Sequence, residues 1–272
     1  PVTGNIMVAS ELMKQLHFDM MHDMDTIIES ALSNKRFEVY YQPIYSVKEK
    51  KFHSAEALIR LKDEKYGFIS PEVFIPVAEK SGAIHKIGDF VLEQVCAFIA
   101  SDEYKKLGMS YIEVNLSVVQ CMQPKLANHI MEILTRYGVR PEQLNLEITE
   151  SLFLDKPEEL NRVLDRLQKL GFKLEVDDFG SGFSSLNLIR NISVDTIKID
   201  KEFLDSEIAS EKGKIVVNHT IGMAKDLHLQ VIAEGVETKA HVDFLKNSNC
   251  DIAQGFYFAK PMPVPEFERI AF

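Results

Sequence analysis

A polar or charged residue stands near the end of nearly every strand-like run in this chain: Glu56, Asn115, Glu147, the pair Asp177 and Asp178, Lys198, Glu234 and Gln254. If those runs are parallel strands of one sheet, all of these side chains converge on a single rim. An isolated carboxylate in a half-buried strand is costly to desolvate, and several close together repel one another unless a cation holds them. The set therefore asks for a metal. Glu56, Asn115, Glu147 and Asp177 supply four hard oxygen ligands suited to Mg²⁺ or Mn²⁺, and the absence of a His/Cys set argues against a structural zinc. Asp178 could bridge or hold a second ion, since two ions about 3.5–4 Å apart activate water and stabilise a displaced oxygen.

Lys198 lies between apolar residues in Thr196-Ile197-Lys198-Ile199-Asp200. A lysine there is either an ion-pair partner of the rim acids or a group that orients water and stabilises phosphoryl charge. Glu234 follows Val231-Ile232-Ala233 and reads as a ligand or as a general base for water. Glu237 reads equally as a helix-start acid or a ligand contact. Gly180-Ser181-Gly182, after the Asp pair, lacks both the GxxxxGK[ST] and the complete GxGxxG pattern, so a nucleotide P-loop is not expected. A rim loop that positions Asp178, hinged at Gly180 and Gly182, fits better.

The elements that would carry these residues alternate from Phe37 onward. Strand candidates are Phe37–Ile44, His53–Leu61, Tyr111–Leu116, Leu144–Thr149, Phe172–Asp177, Thr196–Ile199, Gln230–Ala233 and Asp251–Phe256. Helical spacing fills Ile84–Ala100, Val119–Tyr137, Glu158–Leu170, Ser184–Ile189, Ile215–Leu227 and Lys239–Lys246, with another helix after Pro71. Only Tyr45 to Phe52 separate the first two strands, a hairpin length, so one strand runs antiparallel. The expectation is an α/β fold: a (β/α)-barrel with an irregular start and its chemistry at the C-terminal rim of the strands.

At 272 residues and 46% hydrophobic content, the chain is long enough for one such barrel, which takes roughly 250 residues. The net charge of −10 argues against a broad grip on DNA or RNA, which needs clustered Lys and Arg. Cys96, Cys121 and Cys250 form no CxxC pair and read as reduced, mostly buried thiols of a cytoplasmic protein. No apolar run approaches the roughly 20 residues of a membrane span, and the start is not a signal peptide. Glu11 to Leu32 has helical periodicity. His17 and His22, five apart, do not share a helix face, which favours a solvated surface there over a metal site. The start at Pro1 reads as a fragment of a longer parent, in which a membrane anchor elsewhere stays open, with residues 1–33 a helical lead-in from an upstream domain and 34–272 the main domain.

Glu56-Ala57-Leu58-Ile59-Arg60 resembles the signature that names the EAL domain family. The resemblance runs from Phe37 to Pro263 through Tyr41-Gln42-Pro43-Ile44, Glu79-Lys80-Ser81-Gly82, Ile87-Gly88, Asn115-Leu116-Ser117, Glu147-Ile148-Thr149-Glu150, Asp177 to Ser185, Ile197-Lys198-Ile199-Asp200, Ala233 to Thr238 and Gln254-Gly255. It implies a modified TIM (β/α)₈ barrel with one antiparallel strand, and hydrolysis of cyclic di-GMP to linear pGpG with Mg²⁺ or Mn²⁺ in bacterial signalling. Carried over, Glu56, Asn115, Glu147 and Asp177 hold one ion and Asp178 contributes to the second. Lys198 and Glu234 orient or deprotonate the attacking water, Arg60 contacts a phosphate, and Gln254 lies beside the water and metal site. Gln42, Gln120 and Glu237 are ligand contacts, and Glu150 steadies the loop from Asp178 to Ser185. The resemblance further implies a homodimer and an upstream sensor or GGDEF-type domain. Leu61, Phe90, Phe256 and Ser181 depart from the family's usual residues without removing a metal ligand. Two other readings stay open: a silent cyclic di-GMP-binding sensor and, from the residues alone, an enolase-like barrel in which Mg²⁺ and Lys198 abstract a proton beside a carboxylate. The Asp177 and Asp178 pair counts against the second.

Overall fold

The computed structural model describes residues 2–150, 157–180, 194–208 and 210–270, with side chains from Lys14 onward in the first helix. The helix expected at Ser184–Ile189 and the Ser181 to Ser185 part of the loop signature lie outside the described residues. The chain divides into two compact units, Pro1–Glu38 with Ile59–Asp89, and Val39–Leu58 with Phe90–Phe272.

In the first unit, helix α1 (Val2–Ser33) buries Met24, Ile27, Ile28 and Ala31, part of the periodic stripe read from the sequence. It packs with α2 (Pro71–Ser81), which starts on Pro71, where a missing N–H costs nothing. Gly82 ends α2 in the left-handed conformation at φ 80°, its N–H returned to Glu79 O. Phe37 and Phe74 pack with ring centroids 5.6 Å apart, and Arg36 Nη1 lies 2.7 Å from Asp63 Oδ2.

The second unit holds an eight-stranded ring. Strands β1 (Phe37–Ser46) and β2 (Lys51–Asp63) each contribute residues to both units. β3 (Gly67–Ile69) pairs with the first-unit end of β2. The remaining strands are β4 (Ile112–Asn115), β5 (Leu144–Thr149), β6 (Lys173–Phe179), β7 (Thr196–Ile199), β8 (Gln230–Ala233), β9 (Ile252–Ala253) and β10 (Met262–Pro263). Neighbours run β1, β9, β8, β7, β6, β5, β4, β2, and β2 pairs back onto β1, which closes the ring. From β2 round to β9 every pair is parallel, whereas β1 meets β9 antiparallel. This is the expected modified barrel with its one reversed strand.

Strands buried on both faces have outward positions that are apolar: Val114, Leu146, Ile148, Leu174, Val176, Ile197 and Val231 are all buried. The surrounding helices meet them with their own apolar faces. In α6 (Leu126–Tyr137) these are Ile130, Ile133 and Leu134, and in α7 (Pro157–Lys169) Leu160, Leu164 and Leu167. In α9 (Glu211–Asp226) they are Val217, Ile221 and Ala224, and in α10 (Lys239–Asn247) Val242 and Leu245. Ser210 and Thr238 cap α9 and α10 by accepting from Gly213 N and His241 N. Helix α3 (Ile84–Ala100) has the expected bounds.

Two expectations are corrected. The helix expected over Val119–Tyr137 is two, α5 (Val118–Cys121) and α6, because Pro124 cannot donate to a continuing helix and restrains the residue before it. The last ring strand is only Ile252–Ala253, since the chain leaves the sheet at Gln254-Gly255. Strands β3 and β10 and helices α4 (Asp102–Leu107), α8 (Lys201–Ile208) and α11 (Val264–Phe267) had no clear sequence signal. The three cysteines are free and buried, and burial pushes each thiol up to about 12, as inert core groups require. No helix among the described residues is long and apolar enough to cross a membrane.

The reversed strand is fixed by an aromatic cluster, Tyr41 with Phe98 at 4.9 Å and Phe267 at 5.5 Å between centroids. All three rings are buried. Phe267→Ala should cost about 3–5 kcal/mol, measured by urea unfolding. A loss under about 1 kcal/mol would show that α11 does not hold β1.

Candidate active site

Side chains on a strand return to the same face every second residue, so each inward polar residue has a companion two positions earlier. At the rim stand Glu56, Asn115, Glu147, Asp177 and Lys198, with Glu234 and Gln254 just beyond β8 and β9. One step down the same strands are Ser54, Glu113, Asn145, Glu175 and Thr196, all buried. The two tiers are staggered around the barrel: Asn115 pairs with Glu147, and Glu147 in turn with Glu175. Glu113, Asn145 and Glu175 were not singled out from sequence. Their signal was the alternation itself, read backward from Asn115, Glu147 and Asp177.

Lys198 has no solvent exposure and is the centre of the rim. Its Nζ donates to Glu147 Oε1, lies 2.8 Å from Glu234 Oε1, 3.3 Å from Glu113 Oε2 and 3.7 Å from Glu56 Oε2. Burial alone would drive off the lysine's proton, but Glu147, Glu234, Glu56 and Glu113 together hold its pKa well above the usual value. Asn115 Nδ2 ties the same acids together, donating to Glu56 Oε1 at 2.9 Å and Glu147 Oε2 at 3.0 Å. Gln254 Nε2 donates to Glu56 Oε2 at 2.6 Å and to Gln42 Oε1 at 3.2 Å, and Gln42 passes the chain on to Ala259 O. Gln42 and Gln254, expected at the ligand, are buried: Gln254 spends its N–H groups on Glu56 and Gln42, and Gln42 spends its own on Ala259 O.

The close approach behind Gln254 requires glycine at the next position. Gly255 has φ 158°, and a Cβ there would fall 2.2 Å from Val236 N and O. Val236 N donates to Gln254 O at 2.9 Å, so the segments carrying Glu234 and Gln254 are tied backbone to backbone.

The Asp pair sits where β6 breaks its regular register, between Val176 and Phe179. Asp178 takes φ 57°, a left-handed conformation that aspartate tolerates better than most residues, and its N–H donates to Asp177 Oδ1 at 2.9 Å. Glu150 is buried and its Oε2 accepts from Gly180 N at 3.4 Å, just past the pair. Gln120 is buried in a capping box with Ser117, and exposed Glu237 pairs with Lys201 at 2.5 Å. Arg60 lies in the first unit, its Nη1 donating to Ile59 O.

A family model described as EAL domain matches residues 25–261. The chain belongs to the EAL domain family. Among its relatives are the signaling protein YkoW of Bacillus subtilis, 36% identical over 247 residues that cover 91% of this chain and 31% of YkoW. Another is the cyclic di-GMP phosphodiesterase NbdA of Pseudomonas aeruginosa, 32% identical over 90% of this chain and 31% of NbdA. The chain thus spans about a third of the length of these curated relatives. A solved structure of the PaMucR phosphodiesterase in complex with c-di-GMP is 30% identical, covers 92% of this chain and 99% of its own, and superposes with a TM-score of 0.84.

In this EAL domain the donor set fits a divalent cation. Among the described residues, the acids whose oxygens all lie within 4.8 Å of one another are Glu56, Glu147 and Glu234, and Glu113, Glu147 and Glu175. Asp177 and Asp178 stand outside both sets. Rotating the Asn115 amide would replace its N–H donor with a carbonyl oxygen facing Glu56 and Glu147, completing an all-oxygen set. One lysine cannot neutralise so many carboxylates, and their protons show it. Burial first, then Asp177 and Glu56, raise Glu234 to about 8 against the opposing Lys198. Burial raises Glu175 to about 7 against Lys198 and Asn145, and burial with Asp177 and Asp200 raises Asp178 to about 6.

These three acids ionise later in the native state than in the unfolded chain, so the native state holds more protons between about pH 5 and 8 and stability falls as pH rises. In EDTA the thermal midpoint should drop by roughly 5 °C or more from pH 5 to pH 8, and Mg²⁺ or Mn²⁺ should reverse most of the loss. A midpoint flat or rising with pH in EDTA would contradict this charge assignment.

Proposed function

We propose that this chain is a metal-dependent phosphodiesterase that hydrolyses cyclic di-GMP to linear pGpG. The observation that carries the reading is the buried Lys198 ammonium held by Glu56, Glu147 and Glu234, with Asn115 bridging the first two. That arrangement pre-places charge and a proton acceptor at the C-terminal mouth of a barrel, where such folds do chemistry. The names of NbdA and of the PaMucR complex supply the substrate class.

Glu56, Asn115, Glu147 and Asp177 would hold one Mg²⁺ or Mn²⁺, and Asp178 would contribute to a second. Bound there, such ions supply Lewis acidity toward a phosphoryl oxygen and a water of lowered pKa. The chain's own residues do the rest. Glu234 is half-buried, unlike fully buried Glu147, and so has an open face. Its carboxylate takes the proton from a water that attacks phosphorus. The bond from phosphorus to the ribose O3′ breaks, the departing oxygen takes a proton from solvent water, and the phosphate stays on the 5′ carbon of the neighbouring nucleoside. Lys198 directs an N–H at the water or at the charge building on phosphorus. Arg60, Gln120 and Glu237 are assigned to the nucleotide by the family resemblance, and Glu150 to the loop after Asp178.

The whole protein is further proposed to act in the cytoplasm as a homodimer with an upstream sensor or GGDEF-type domain. Relatives named a bifunctional diguanylate cyclase/cyclic di-GMP phosphodiesterase, MucR, and an oxygen sensor, DosP, support the sensor or GGDEF-type domain.

A chromatographic time course with Mg²⁺, Mn²⁺ or EDTA tests the reading. Linear pGpG should form only with a divalent ion. Nucleotide binding without product under every condition would replace the hydrolase with a sensor module. Glu56→Ala should abolish metal-dependent turnover, whereas Glu234→Gln should lower kcat by roughly 10²–10⁴ with metal affinity little changed. Equal loss of metal binding in Glu234→Gln would make Glu234 a ligand.

A further inference from the structure

Below the rim, Glu113 touches the site through Lys198. It lies on β4 two residues before Asn115, with no solvent exposure, so neither a nucleotide nor a rim-bound ion reaches it from the mouth. Its Oε2 is 3.3 Å from Lys198 Nζ, an ion-pair contact, and neither of its buried oxygens has a well-formed hydrogen-bond partner. An ammonium has three N–H groups. In this structure one donates to Glu147 at the rim, Glu234 lies at ion-pair distance, 2.8 Å, and of the two remaining carboxylates Glu113 is closer than Glu56.

The rim partners are the ones that must do something else. Under the proposed function, Glu56 and Glu147 turn their oxygens to a cation, and Glu234 gains a proton during turnover. Each then loosens its hold on the ammonium. Glu113 lies outside the proposed ligand set of Glu56, Asn115, Glu147 and Asp177 and sits beneath the rim, with an oxygen within 4.8 Å of those of Glu147 and Glu175 and with buried Asn145 opposite it on β5.

We propose that Glu113 is the positioning residue for Lys198: it accepts an ammonium N–H from below and keeps the lysine aimed at the mouth when the rim acids are engaged elsewhere. The role belongs to the acceptor oxygen and not to the formal charge, because an amide oxygen at the same place can accept the same N–H. This inference rests on the phosphodiesterase reading.

The test compares Glu113→Gln with Glu113→Met in the full chain, each of similar length to glutamate. Glu113→Met should lower kcat for cyclic di-GMP by roughly 10–100-fold, the usual scale for a lost outer-shell partner. KM and the Mn²⁺ affinity from calorimetry should stay within about threefold of wild type, and Glu113→Gln should recover kcat to about the same margin. A thermal double-mutant cycle reads the contact without turnover: Glu113→Met and Lys198→Met together should lower Tm by clearly less than the sum of their single effects. Additive Tm losses, an unchanged kcat in Glu113→Met, or equal losses in both Glu113 variants would overturn the positioning role while leaving the hydrolase reading intact. No product from the wild-type chain would instead remove the hydrolase reading and the positioning role with it, and a non-additive cycle would then mark a structural ion pair.

Discussion

The ammonium of Lys198 among Glu56, Glu113, Glu147 and Glu234 is the interaction on which the rest of the site depends. Alone, a lysine with no solvent exposure would give up its proton, and each buried glutamate would keep one. Brought together they hold each other's charge, although the balance is incomplete and leaves the carboxylates pushed upward. Such a cluster is a poor source of net stability, because desolvation consumes much of the attraction. The barrel must therefore be stabilised from its other face. The apolar outward positions of β4 to β8 and the helix faces around them supply that burial, which lets the interior carry polar groups where many barrels pack branched aliphatic residues.

How much of this was legible follows from what a sequence encodes locally. Glu56, Asn115, Glu147 and Lys198 could be read because each is a polar residue set among apolar ones near the end of a strand-like run, and in a parallel sheet such positions lie toward the carboxyl rim. The eight ring strands and the hairpin that reverses β1 were legible for the same reason of pattern and loop length. Glu113 and Glu175 were on the page as well, two residues before the marked ones. What alternation cannot say is which charges meet. The contact of Lys198 with Glu113 joins β7 to β4, two strands that are not neighbours, and it exists only because the sheet closes on itself. The amides were the least legible. Gln254 and Gln42 are equally plausible beside a ligand or beside an acid, and only the fold shows Gln254 on Glu56 with Gln42 behind it. The break at Pro124 and the short β9 were readable in principle from a proline and a glycine, but apolar periodicity outweighed both.

Two adjacent acids on one strand pose a different problem from acids on separate strands. In a regular strand Asp177 and Asp178 would face opposite sides of the sheet. The register shift between Val176 and Phe179 and the left-handed backbone at Asp178 break that alternation, and the Asp178 N–H closing onto Asp177 Oδ1 holds the break in place. Glu150 adds a second restraint through Gly180 N. The site thus combines two kinds of construction. On β2, β4, β5 and β7, polar groups sit at regular strand positions and are fixed by hydrogen bonds across the barrel. On β6, consecutive acids are placed by a local irregularity in the backbone. The regular part over-determines the cage around Lys198, whereas Asp177 and Asp178 lie outside the close oxygen sets, and Asp177 reaches the cage through charge, raising Glu147 and Glu234. A cation bound beside both parts would relieve that repulsion.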